Sequence, residues 1–143
     1  MTHRKHTASV EDYAFLQSFL DCTLEAEKFH HEQHLRIAYT VLVDCDVDDA
    51  MAIIKQGILN LLNHLGVGPD KYHETITFSW LLLVRAAMAR SESCCRFDDI
   101  IRMNDDLRQT TLIENFYSAE LLASAHARNS LVKPDLKPIA GNR

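Results

Sequence analysis

Helical periodicity runs through nearly all of this 143-residue chain, and only four Gly and three Pro interrupt it. Apolar residues recur at spacings of three and four, and no stretch alternates as a half-buried strand does. A chain patterned in this way buries its apolar faces by packing helix on helix. The expected fold is therefore all-α, a single-domain helical bundle of about five to six helices, and the length suits one domain with a real core. With 47% apolar and 24% charged residues, the composition is that of an ordinary globular domain.

The formal charge of -5 leaves no basic footprint, so neither nucleic acid nor an anionic membrane surface is an expected partner. The most apolar run, residues 78–88, carries Ser79 and Arg85 and is too short to cross a bilayer. The opening MTHRKHTASVEDY lacks the apolar stretch of a secretory signal, which points to the cytoplasm and to reduced thiols. Cys22, Cys45, Cys94 and Cys95 show no C-x-x-C spacing, and vicinal Cys94 and Cys95 are poorly placed for a structural disulfide.

Cap and stop residues divide the chain. Residues 1–8 read as a flexible N-terminus. Ser9 can cap a first helix over about 10–24, whose buried stripe is Tyr13, Leu16, Phe19 and Leu20. A second helix, either continuing from the first after a break near Lys28 or starting afresh, ends near Asp44. Asp46 then caps a third, with Ala50, Ile53, Ile54, Gly57, Ile58, Leu61 and Leu62 on one side and Gly66 closing it. Asp70 or a neighbour starts the fourth, which is apolar nearly all round and suits the middle of the bundle, and SESCCRFDD ends it. A fifth helix is expected over about 98–108 and a sixth over about 113–129. Pro134 and Pro138 then force residues 130–143 into an extended tail, with Leu136 and Ile139 packing back as a strap. The apolar third and fourth helices also leave room for a homo-oligomer.

Imidazoles occupy positions where this pattern calls for apolar residues. His31 and His34 share a stripe with Ala38, Val41 and Leu42, and His73 heads a stripe continued by Ile76, Thr77, Trp80 and Val84. Buried polar rings must be satisfied, so the three ask for a metal, an organic ligand or a network of hydrogen bonds. On a helical wheel Glu27, His31 and His34 fall within roughly 60° of one another, which would bring a carboxylate to the same face as ligand or base. Three imidazoles with an open position suit Zn, Fe or Cu and could activate water or dioxygen.

Other residues carry weaker signals. Thr77 could orient the His73 ring or bond back to its carbonyl, as buried helical Thr does. Tyr117, Ser124 and Arg128 form a polar stripe that could wall a pocket. There Arg128 would hold a substrate carboxylate, pair with Asp135 or cap its helix. Arg36 lies opposite the paired histidines and reads as half of a surface ion pair, Glu74 as a solvated carboxylate and Tyr72 as packing. His30 lies off the stripe, and His3, His6, His64 and His126 read as tail, helix-end or surface residues.

Three blocks stand out: F-x-H-x-x-H-L-R-x-A at 29–38, K-Y-H-E-T-x-T at 71–77, and Y-S-x-x-L-L-x-S-x-x-A-R at 117–128 followed by P-D-L. In these the chain resembles a family of short, mostly uncharacterised bacterial all-helical proteins. The resemblance implies that His31, His34 and His73 belong to one shared pattern, outside which His30, His64 and His126 fall. Two functions follow as expectations. One is a small metal-dependent enzyme acting on a small metabolite by oxidative or hydrolytic chemistry, with His31, His34 and His73 as ligands and Glu27 as ligand or base. The other is a non-catalytic module that binds a metal or small molecule.

Overall fold

A computed structural model describes residues 6–139, and among them there is no strand. Seven α-helices make up the bundle: α1 Val10–Leu20, α2 His31–Asp44, α3 Val47–His64, α4 Glu74–Arg90, α5 Phe97–Met103, α6 Ala119–Leu122 and α7 Ala125–Asn129. Short 3-10 turns join them at Ala26–Lys28, Pro69–Lys71, Asp105–Arg108 and Thr110–Asn115. Helix α4 lies centrally against α2, α3 and α7, as its all-round apolar surface requires. Among the described residues no helix is long and apolar enough to cross a membrane.

Local chemistry explains where the boundaries differ from expectation. Ser9 caps α1 as anticipated, its side chain accepting from Asp12 N–H while Asp12 reaches back to Ser9 N–H. The helix stops at Leu20, four residues early, because Cys22 takes a left-handed conformation (φ 63°) and Thr23 N–H bonds to the Ser18 carbonyl. On α1 the buried stripe narrows to Phe19, with Tyr13 and Leu20 exposed. Phe19 meets α3 at Gly57, where any Cβ would run into its ring, so this glycine permits the close approach of the two helices. Ile53 of α3 is exposed rather than buried. Asp46 caps α3, and Gly66 (φ 74°) closes it, as the sequence suggested.

The single long helix expected over 113–129 is broken into a 3-10 turn and two short helices. The hydroxyls of Ser118 and Ser124 each accept a backbone N–H three residues on, Leu121 and Ala127, and so start new helices where the periodicity suggested one. The fifth helix likewise ends at Met103 and continues past Asn104 as a 3-10 turn. In the tail Ile139 is buried while the Leu136 side chain is exposed, so the strap is held by Ile139 and by the Leu136 N–H bond to the Phe116 carbonyl.

The N-terminal segment departs most from expectation. His6 is buried and its Nε2 lies 2.7 Å from the Met88 carbonyl, Thr7 N–H donates to Cys94 O, and Tyr39 OH donates to Thr7 O. Residues 6–8 are thus docked on the bundle rather than loose, and His6 is a core residue. The remaining residues 1–5, His3 among them, and 140–143 at the end of the tail lie outside the described residues. His64 and His126 are exposed, and no disulfide joins the four cysteines among the described residues.

Asp12 ties three elements together. Its buried carboxylate accepts from Ser9 N–H, from Phe97 N–H at 2.9 Å and from Arg36 Nε at 2.9 Å, joining α1, α5 and α2. Arg36 is therefore not a surface ion pair alone, and its guanidinium also lies over the Phe15 ring at 4.7 Å. Burial by itself would raise the Asp12 pKa, but the backbone donors and Arg36 outweigh it and hold the carboxyl below the usual 3.8. A depressed folded pKa makes this contribution to stability complete above pH 3.8 and lost as the pH falls through the folded value. Asp12→Asn, which removes the charge from a buried three-donor site, is expected to cost about 3 kcal/mol in urea unfolding at pH 7 and much less near pH 2.

Candidate ligand-binding site

Helix α2 starts afresh at His31 because His30 adopts an extended conformation (φ -102°, ψ -175°) and serves as its N-cap. Glu27 belongs instead to the separate turn Ala26–Lys28, where it is exposed. The wheel that grouped Glu27 with His31 and His34 assumed a continuous helix, so the carboxylate is not brought to the imidazoles as ligand or base. His31 opens the first turn of α2, and its Nε2–H donates to the Leu107 carbonyl at 2.8 Å while its ring stands edge-on to Trp80.

His73 precedes α4 and caps it. Its Nδ1 accepts from Ile76 N–H at 3.1 Å, which requires the proton on Nε2, and that Nε2–H donates to the Leu122 carbonyl at 2.8 Å. Both ring nitrogens are spoken for. The expected start of this helix at Asp70 is displaced because Asp70 sits in the preceding turn Pro69–Lys71. Thr77 donates its hydroxyl to the His73 carbonyl at 2.8 Å, the back-bond rather than a contact that orients the ring.

Among the described residues no group of three or more His, Cys, Asp or Glu side chains is placed to hold a metal ion. The donor chemistry agrees: ligation by His73 would sacrifice its cap bond or its bond to Leu122, and ligation through His31 Nε2 would release Leu107. His31 and His73 are each placed by structural bonds, so the three histidines do not present a common set of lone pairs.

What the fold does build is a cavity of about 330 Å³ between α2, α3 and α4, closed at one end by α7. Ala38, Ile54, Ile58, Ile76, Trp80 and Leu81 give it an apolar lining, His34 and His73 both face it, and Lys71 and Arg128 stand at its edge. Arg128 Nη1 donates to the carbonyls of Asp70 (2.8 Å) and Tyr72 (3.3 Å), so neither pairing with Asp135 nor a helix cap is its role. Asp135 instead accepts from the backbone and hydroxyl of Ser118. Tyr117, expected at a pocket wall, is buried away from the cavity and donates to the Val132 carbonyl. Ser124 caps α7. Tyr72 and Lys71 also line the cavity, and their only signal in the sequence is their place in the block around His73. Tyr72 OH donates to Glu74, which pairs with Lys55 at 3.1 Å and so is not simply a solvated carboxylate.

His34 differs from the other two. Its ring stacks on Phe29 at 3.8 Å between centroids, and among the described residues no hydrogen bond holds its nitrogens. The residue is exposed, and its ring lines the cavity. Desolvation, with His31 and His30 adding their charges, pushes its pKa from 6.5 down to about 4. At neutral pH it therefore offers one donor and one acceptor without a charge. Comparison with protein-family models, curated proteins and solved structures gives no match. Because the folded state resists protonating His34, its contribution to stability is intact above pH 6.5 and declines as the pH falls towards 4. In a proton NMR titration the His34 ring signals are expected to hold still down to about pH 5, whereas a midpoint near 6.5 would mean that the ring is solvated.

Proposed function

We propose that this chain is a small-molecule-binding protein whose ligand is an organic anion with an apolar body, seated between α2, α3 and α4. The observation that carries this reading is the cavity's division of labour. Its apolar lining offers burial to a hydrocarbon or ring system, and the two lining side chains that carry a full charge at neutral pH, Lys71 and Arg128, are both cations. A volume of about 330 Å³ suits a small metabolite, and a few polar groups within an apolar cleft are the usual composition of such sites. The two carbonyl bonds fix Arg128, whose guanidinium has more donors than those carbonyls use. Uncharged His34 adds a hydrogen-bonding group that repels neither partner.

A Zn, Fe or Cu centre on His31, His34 and His73 would have to displace the Leu107 and Leu122 carbonyls or the cap of α4 before binding. An organic ligand needs no such rearrangement, and that favours the binding module over the metal-dependent enzyme. Trp80, the chain's one tryptophan, lines the cavity and so reports on its occupancy. Titration with 1-naphthoate is expected to change Trp80 emission saturably. Lys71→Glu, an exposed substitution, should weaken that binding about fivefold by turning an attraction into a repulsion. An unchanged emission together with a flat calorimetric titration would overturn the reading.

A further inference from the structure

A second chamber of about 250 Å³ adjoins the first, and the two share His34, Ile76 and Trp80 in their walls. The linings differ in kind. The larger cavity joins five aliphatic side chains to the rings of His34, Tyr72, His73 and Trp80, whereas the smaller is lined mainly by rings, four of them arranged in two pairs. Phe29 stacks on His34 with planes 22° apart, and His31 meets Trp80 edge to face at 4.5 Å and 70°. Aliphatic walls accept any apolar body, whereas ring walls favour a planar π-system that can stack or meet them edge-on. A cage of aromatic rings can also take a quaternary ammonium ion. Here, however, no Asp or Glu lines either chamber among the described residues, and Lys71 and Arg128 would repel a cation.

We propose that the ligand is an aromatic acid whose planar ring occupies the chamber formed by Phe29, His31, His34 and Trp80 and whose anionic group points back towards Lys71 and Arg128. The inference rests on the organic-anion reading of the larger cavity and adds to it where the ring goes and why it is flat. Trp80 and His34, as shared walls, set the junction through which the molecule passes, and the His34 imidazole can meet a polar substituent there.

The test compares 1-naphthoate with decahydro-1-naphthoate, which keeps the carbon skeleton and the charge but is not planar. Affinities of the full chain would be measured by calorimetry, and contacts by nuclear Overhauser effects from ligand protons. The naphthoate is expected to bind at least about tenfold more tightly, with contacts from its ring protons to Trp80 and Phe29. Phe29→Leu should remove most of that difference while leaving the saturated acid unaffected. The Overhauser contacts in the parent chain decide the matter should this variant fold poorly. Equal affinities, or contacts confined to Ile54 and Ile58, would overturn the inference and leave the organic-anion reading standing. Failure of both acids to bind would overturn both.

Discussion

The His73 imidazole holds together the cleft between α2, α3 and α4. One nitrogen accepts from the Ile76 N–H at the head of α4, and the other reaches the Leu122 carbonyl 49 residues away. The central helix is thereby fixed against α6 and α7, and with Arg128 holding the carbonyls of Asp70 and Tyr72 the end of the cavity is closed. The same bonds settle what His73 is available for. A ring with a backbone N–H on one nitrogen and a carbonyl on the other has no lone pair to offer a metal.

The fold was legible in the sequence because it depends on long-range periodicity and on caps whose chemistry is local. Ser9, Asp46 and Gly66 act where their side chains or conformational freedom predict, and the apolar circumference of residues 76–84 placed α4 in the middle. Boundaries failed where two local signals competed. Ser118 and Ser124 look like ordinary polar positions on one amphipathic helix until their hydroxyls are seen to take backbone N–H groups. Cys22 closes α1 in a conformation for which glycine is the usual cue, so nothing in its identity announced the stop.

The candidate site was legible in part. His34 and His73 line one cavity, with Thr77 and Arg128, although His34 is exposed rather than interior. Spacing could not say whether each ring would be satisfied by a shared ion or by a carbonyl from a distant segment. Leu107 and Leu122 contribute backbone oxygens, which leave no trace in residue identity. Glu27 was misplaced for a different reason, because a helical wheel has meaning only within an unbroken helix and the chain turns at His30. His6, whose segment reads as a polar tail, is buried because Met88 supplies it with a carbonyl.

The bond pattern of His73 can be observed directly through the nitrogens themselves. A long-range proton–nitrogen correlation spectrum of the full chain, recorded before and after one equivalent of Zn²⁺, distinguishes a ring held by backbone groups from one that ligates. The account predicts an Nε2–H tautomer for His73, with Nδ1 shifted as a hydrogen-bond acceptor, and no change in its signals when the metal is added. Concerted movement of the His31, His34 and His73 signals at one equivalent would contradict it, since those rings would then be meeting at a single ion.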